Sequence, residues 1–238
     1  MVNIILGNKG GIGKSTISAL IAEYQISQNK KILCVDLDPE NVSFYSFNSL
    51  KVEAIQIKDT ITNDIDKRKI DALMEFIFDN KDKEIIIDTG STSYTPLTTY
   101  FIENDFFSIL NEEEIEHRII SIIHGGGNTY DSINGMKRIS EMFPNEKLLI
   151  VNNQLQASTI VQGKVFEETN AFLEIKDRIT GIVNIPKKSD YITEDIVNMR
   201  QESLLFSDLK TSEFTMMQRR RLTIYRDEIW AEFEKAGL

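Results

Sequence analysis

The sequence predicts a doubly wound α/β fold, with a mainly parallel sheet and helices on both faces. Three observations predict it. Short, continuously apolar runs recur along the chain, and most are followed by a segment with helical spacing. A glycine-rich turn joins the first apolar run to the first helical segment. At 238 residues the chain is long enough for one such sheet, since α/β folds often pass 200 residues undivided. Strands buried on both faces read as unbroken apolar runs, which separates them from the alternating strands of an antiparallel sheet.

The elements follow in order. "VNIIL" (2–6) reads as a buried strand and "STISALIAEYQISQ" (15–28) as an amphipathic helix. "KILCVD" (31–36) is the second strand, and "VEAIQI" (52–57) is expected to be another. Residues 65–80 space Ile70, Leu73, Ile77 and Phe78 at helical intervals. "EIIID" (84–88), residues 117–125 and residues 147–153 complete the central strands, with a helix over 129–143 between the last two. "ITGIVNIP" (179–186) reads as the final strand, and from about 190 the chain is mostly helical. No repeat, low-complexity tract or Pro/Gly/Ser linker interrupts it. A single domain over 1–238 is therefore expected, with 190–238 packed on it as a helical segment.

Composition narrows the function classes. With 41% hydrophobic and 27% charged residues this is an ordinary globular chain. A net charge of −10 argues against a surface that coats nucleic acid, though a local basic patch remains possible. One cysteine, Cys34, excludes an internal disulfide framework and fits a reducing cytoplasm. The start shows no signal-peptide pattern, and no apolar run approaches the ~20 residues of a membrane span.

The first glycine-rich turn carries the chemistry. "NKGGIGKST" (8–16) lies between a strand and a helix, the setting in which glycines cradle phosphate. Gly10, Gly11 and Gly13 can adopt backbone angles closed to other residues. The N–H groups of this loop and of the helix start then present partial positive charge to an anion. Lys14 should reach the β- and γ-phosphates, and Ser15 should offer a hydroxyl to Mg²⁺. Asn8 occupies the first position of the pattern, where glycine is usual; Ile12 and Thr16 complete the loop. Lys9 is an additional cation in a loop already furnished with one. It acts either on phosphate in its own subunit or on something outside it.

Two acidic segments follow. "CVDLDPEN" (34–41) places Asp36 and Asp38 at alternate positions near a strand end, beside the phosphate loop. Pro39 would fix the turn. A plain strand-ending turn is the alternative. "EIIIDTGSTS" (84–93) is an apolar strand ending in Asp88, the pattern of a Walker B carboxylate that binds Mg²⁺ through water or through Ser15. Gly90 and Ser91 would form the segment that senses the γ-phosphate.

"KGGIGKST" resembles the deviant Walker A motif of the ParA/MinD family of P-loop NTPases, and the likeness covers residues 2 to about 186. It implies an ATP/ADP- and Mg²⁺-binding ATPase that works as a homodimer. Lys9 would then reach across to the partner's nucleotide, supplying transition-state charge in trans, and would be catalytic with Lys14 and Asp38. "DLDP" is similar to the family's "DxDPQ", by which Asp38 would orient the attacking water and Asp36 would join Ser15 and Asp88 at the metal. ParA proteins usually carry proline where Gly90 stands. The resemblance also implies an asparagine that reads adenine, offered here by Asn152 or Asn153, with Asn153 preferred. Pro186 of "NIPKK" would lie by the base.

A closer resemblance is to the TraL group and the related StbB-like proteins of conjugative plasmids. It rests on "DLDPENVSFYSF" (36–47), "DTGSTSYTPLTTYFIENDF" (88–106), "NIPK" (184–187) and "MMQRRRLTIYRDEIW" (216–230). It implies a role in plasmid transfer or partition, with a transfer or partition protein as partner. Leu222, Tyr225, Ile229, Trp230 and Phe233 form one helical stripe, expected to dock on the domain. Arg219, Arg220, Arg221 and Arg226 could touch DNA phosphates. Acidic residues among the last turns argue against a membrane surface. "HGGGNT" (124–129) reads as a connector, and His117 and His124 as structural or exposed. One cysteine per chain is too few for a four-cysteine cluster in a dimer. A biosynthetic ATP-dependent ligase of the dethiobiotin-synthetase or cobyrinate-amidating kind, and a nucleotide-binding adaptor without hydrolysis, are the rival functions.

Overall fold

The computed structural model describes residues 1–38, 43–57, 59 and 66–238. Pro39 lies outside these. The element order begins β1 (Val2–Leu6), α1 (Lys14–Ser27), β2 (Ile32–Asp36), β3 (Glu53–Ala54), α2 (Lys67–Asp79) and β4 (Glu84–Asp88). It continues through α3 (Tyr94–Glu103), α4 (Phe106–Glu112), β5 (His117–His124), α5 (Thr129–Met142) and β6 (Leu148–Asn153). A short antiparallel hairpin, β7 (Ile160–Val161) and β8 (Lys164–Val165), precedes α6 (Asn170–Ile175), β9 (Ile179–Ile185), α7 (Asp190–Gln201) and α8 (Met216–Lys235).

The main sheet has seven strands in the order β3-β2-β4-β1-β5-β6-β9, and its pairings are parallel. Its unbroken apolar strands feed two cores. In β4, Ile86 packs into the layer shared with α1 and α8, while Ile85 and Ile87 face the layer of α2, α3 and α5. In β5, Ile120 and Ile122 take the first face and Ile119 and Ile123 the second. Period-two alternation therefore fills both sides, as a doubly covered sheet requires.

Two differences from expectation have local causes. The strand expected over 52–57 contains only Glu53–Ala54, because Val52 and Ile57 are buried outside the ladder. Helices α3 and α4 carry weak helical signals. α3 is rich in Thr and Tyr, which favour strands, and places Pro96 in its first turn, where a missing N–H costs little. Tertiary burial of Leu97, Phe101 and Phe106 decides the matter.

The C-terminal helix docks as its stripe predicts. Leu222, Tyr225, Ile229 and Phe233 are buried in the first core, and Trp230 meets Tyr24 of α1 edge to face at 5.6 Å. Each large apolar side chain so buried contributes roughly 1.5–3 kcal/mol. Gly181 on β9 admits the end of this helix: a Cβ there would stand 2.5 Å from the Ala236 carbonyl oxygen. Among the described residues no helix is long and apolar enough to cross a membrane.

Candidate nucleotide-binding site

The loop between β1 and α1 sits at the C-terminal edge of the sheet, where ligands of open α/β sheets bind. Gly11 (φ 75°) and Gly13 (φ 95°) adopt left-handed angles that a Cβ would strain. Gly13 also starts α1 as its N-cap. Ile12 is buried and anchors the loop, while Asn8 is exposed and lies against α5 at Gly135.

The buried Lys14 side chain bends back so that Nζ donates to the Lys9 carbonyl at 3.1 Å. Burial pulls its pKa down, opposed by the charges of Asp88 and Asp38. Ser15 Oγ donates to Asp88 Oδ2 at 2.6 Å, and Ser18 Oγ stands 3.0 Å from Asp88 Oδ1. Asp36 and Asp88 are register neighbours on β2 and β4. Burial, opposed by the two serine hydroxyls and reinforced by the neighbouring Asp36, raises Asp88 to about 7. Asp36 is also raised by burial, although it accepts the N–H groups of Asp38 at 2.8 Å and Tyr45 at 3.0 Å.

This donor set fits Mg²⁺. Among the described residues no group of three or more His, Cys, Asp or Glu could enclose a metal. Mg²⁺ does not need one, since it keeps waters and phosphate oxygens and takes one or two protein ligands. The Ser15 hydroxyl against a buried carboxylate supplies such a pair, and a cation there would relieve the crowding of Asp36 and Asp88.

Two cavities meet over the loop. The phosphate-side one, of about 690 Å³, is lined by the loop, Lys14, Asp38, Ser43, Thr89 and Ser91. The second, of about 340 Å³, runs toward β6 and β9 and is lined by Asn153, Leu155, Ile185, Ile196, Arg200 and Tyr225, among others. Gly11, Gly13, Thr16 and Gln201 border both. Asn153 lines this second cavity, with Nδ2 3.4 Å from the Ile12 carbonyl. Asn152 is buried and fully engaged, donating to Asn184 Oδ1 at 3.0 Å and accepting from Thr159 Oγ1 at 2.7 Å. Pro186 follows directly on the lining residue Ile185 and is half-buried.

Lys9 points elsewhere. Its Nζ pairs with Asp131 Oδ2 at 2.9 Å in the first turn of α5, with both side chains substantially exposed. It is not among the residues that line the phosphate-side cavity.

A model of the CobQ/CobB/MinD/ParA nucleotide-binding domain matches residues 3–201. The chain belongs to this family. Two TraL proteins of Escherichia coli are each 33% identical to it over 240 residues, spanning 100% of this chain and 98% of theirs. MinD of Aquifex aeolicus shares the fold with a TM-score of 0.53 at 16% identity, covering 97% of this chain and 96% of that one. A plasmid partition protein of Borrelia burgdorferi bound to AMPPNP does so with a TM-score of 0.51 at 14% identity, covering 98% of each chain. The chain is thus a nucleotide-binding domain of ParA/MinD type.

Several residues at this ParA/MinD-type site escape sequence reasoning. His124, expected to be structural or exposed, lines the second cavity, because β5 and β6 pair it with Asn153. Gln201, Arg200 and Tyr225 reach it from helices far along the chain. Arg200 is flanked by Phe206 and Phe47, its charge disfavoured by burial and sustained by Glu23. Only tertiary pairing brings these together; Ser18, one turn after Ser15, is the exception that a helical wheel could have found.

Of the four arginines considered for DNA, three are engaged within the chain. Arg219 donates to the Phe214 and Lys210 carbonyls, Arg221 pairs with Asp195 at 2.7 Å, and Arg226 pairs with Asp227 at 2.7 Å. Arg220 is exposed.

Proposed function

We propose that this chain is an Mg²⁺-dependent ATPase that acts as a dimerising switch in plasmid transfer or partition, through a partner protein of that machinery. The observation that carries it is the direction of Lys9. A loop cation turned from its own phosphate cavity and held at the rim by an exposed acid is placed to serve a nucleotide on another subunit. In the ATP-bound pair, Lys9 exchanges Asp131 for the partner's phosphates, while Lys14, Ser15 and the loop N–H groups hold the subunit's own. Asp38, at the phosphate-side cavity, orients the attacking water. Ser15 and Asp88, with Asp36 behind them, hold the Mg²⁺ that neutralises phosphate charge. Asn153 reads the base, with Pro186 beside it. Moving such an equilibrium from 1:99 to 99:1 takes about 5.5 kcal/mol of preference between states. Charge pairing at two symmetry-related triphosphates is one of few local changes that could provide it.

The partition neighbour's AMPPNP and the TraL relatives support ATP and a plasmid role, respectively. DNA contact has less support, given how the arginines are engaged. The ligase alternative is also less supported: Lys14 is the single cation among the described residues lining the phosphate-side cavity, too few to hold a carboxylate substrate as well. A non-hydrolysing adaptor has one observation in its favour. The segment after Asp88 is tied down, with Thr89 Oγ1 donating to the Ile5 carbonyl at 2.6 Å.

Sizing in solution with a non-hydrolysable ATP analogue, ADP or no nucleotide tests the switch. The parent protein should pair only with the analogue, and Lys9→Ala should stay monomeric while still binding it. Pairing of Lys9→Ala equal to the parent would overturn the reading.

A further inference from the structure

The segment Asp88–Ser93 departs from the proline usual in ParA proteins, and the geometry around Gly90 gives a reason. Gly90 does not adopt a left-handed backbone, so its conformation alone does not demand glycine. Space does. A Cβ at this position would lie 2.6 Å from Cγ, 2.8 Å from Oδ1 and 3.0 Å from Cβ of Asp38. Contacts below 3.0 Å force something to move, and the backbones on both sides are held. The Asp38 backbone N–H donates to Asp36 Oδ1 at 2.8 Å. The Leu37 N–H donates to the Asp88 carbonyl at 2.9 Å. Ser93 Oγ stands 3.2 Å from the Gly90 carbonyl oxygen and 3.5 Å from that of Leu37, bridging the two loops.

We propose that Gly90 is the positioning residue for Asp38: the missing side chain lets the Asp38 carboxyl lie on the backbone after the Walker B strand, at the phosphate-side cavity. The segment after Asp88 and the acid that directs water are then one mechanical unit. Any displacement of that segment by γ-phosphate is transmitted to Asp38 by direct contact. This inference rests on the hydrolytic function proposed above, and it concerns position only; Gly90 itself touches no reacting atom.

Gly90→Ala tests it in two independent ways. In Mg²⁺-ATP turnover, kcat should fall by about tenfold or more, since an ångström of misplacement can cost ~10² in rate. KM and the affinity for a fluorescent ADP analogue should stay within about twofold. A kcat within about twofold of the parent, or a loss carried equally by ADP affinity, would overturn the proposal.

Thermal unfolding of the nucleotide-free protein supplies the second readout. The loss of Tm caused by Gly90→Ala should largely vanish in an Asp38→Gly background, where the clashing side chain is gone. An equal loss in both backgrounds would overturn the contact itself. If the parent shows no turnover while this coupling is present, the hydrolytic reading fails and positioning for catalysis fails with it, but the contact stands. Should Gly90→Ala alone not fold, recovery of folding in the Asp38→Gly background reports the same coupling.

Discussion

The two ends of the cleft are built differently. The phosphate end is made from three short stretches, each contiguous in sequence and each at the C-terminal edge of a central strand: the loop after β1, Asp36 ending β2 with Asp38 just beyond it, and Asp88 ending β4. Its groups are already hydrogen-bonded to one another: Lys14 to the Lys9 carbonyl, Ser15 and Ser18 to Asp88, Asp36 to the loop beyond it. The base end is assembled from residues scattered over β5, β6, β9, α7 and α8, and the Asn153 side chain makes long contacts there, 3.4 Å to the Ile12 carbonyl and 3.3 Å from the Leu155 N–H. On the function proposed above, the first would be a preformed anion site and the second a looser site for the base.

The largest effect should come from the phosphate end. On the proposed function Lys14→Ala would remove charge-assisted bonds to two phosphates, so calorimetry should show ATP and ADP affinity falling about a hundredfold, or ~3 kcal/mol. A loss below about threefold would mean that the base end carries the binding after all.

The neighbouring asparagines sharpen the contrast next. Asn152→Ala takes their Asn152 partner from the buried Thr159 hydroxyl and the half-buried Asn184 side chain, which costs about 1–3 kcal/mol. It should lower Tm and leave nucleotide affinity nearly unchanged. Asn153→Ala should do the reverse, keeping Tm and weakening ATP by about tenfold while flattening any preference over GTP. If Asn152→Ala abolished base preference instead, the assignment of the pair would be exchanged.

The smallest effect is a pH dependence of the phosphate end. With Asp88 raised from 3.8 to about 7, the native state keeps a proton that the unfolded chain loses above its ordinary carboxyl pKa. Stability from this group is therefore present in acid and lost as pH rises toward 7. Without Mg²⁺ or nucleotide, the Tm of Asp88→Asn should exceed the parent's by more at about pH 8 than at about pH 5. A constant difference would show that the carboxylate is already compensated by its hydroxyl partners.

The same division explains what the sequence made legible. The glycine-rich loop, Asp38 and Asp88 were legible because each lies in a short local strand-and-loop pattern, and the structure brings them to one edge of the sheet. The seven main strands were readable from continuous apolar runs, apart from the reduced β3. Register is another matter. The preference for Asn153 over Asn152 rests only on its falling just past the apolar run, and that Asn152 is the one facing Asn184 on β9 is visible only in the register. His124 reads as part of a connector until β6 pairs beside it, and Arg200 and Gln201 reach the cleft only because α7 folds back over the sheet. Helix α3 was hidden by strand-favouring residues that burial overrules.

The central claim is that Lys9 completes a neighbour's active site, and mixing two inactive variants tests it most directly. Lys9→Ala keeps its own Asp38 and lacks the cation it would lend; Asp38→Ala lends the cation and lacks its own acid. Each alone should show negligible Mg²⁺-ATP turnover. An equimolar mixture should regain hydrolysis, because in the mixed pair the Lys9→Ala subunit's site receives Lys9 from its partner. Turnover by the mixture no greater than the sum of the separate variants, or full activity of Lys9→Ala by itself, would contradict the account.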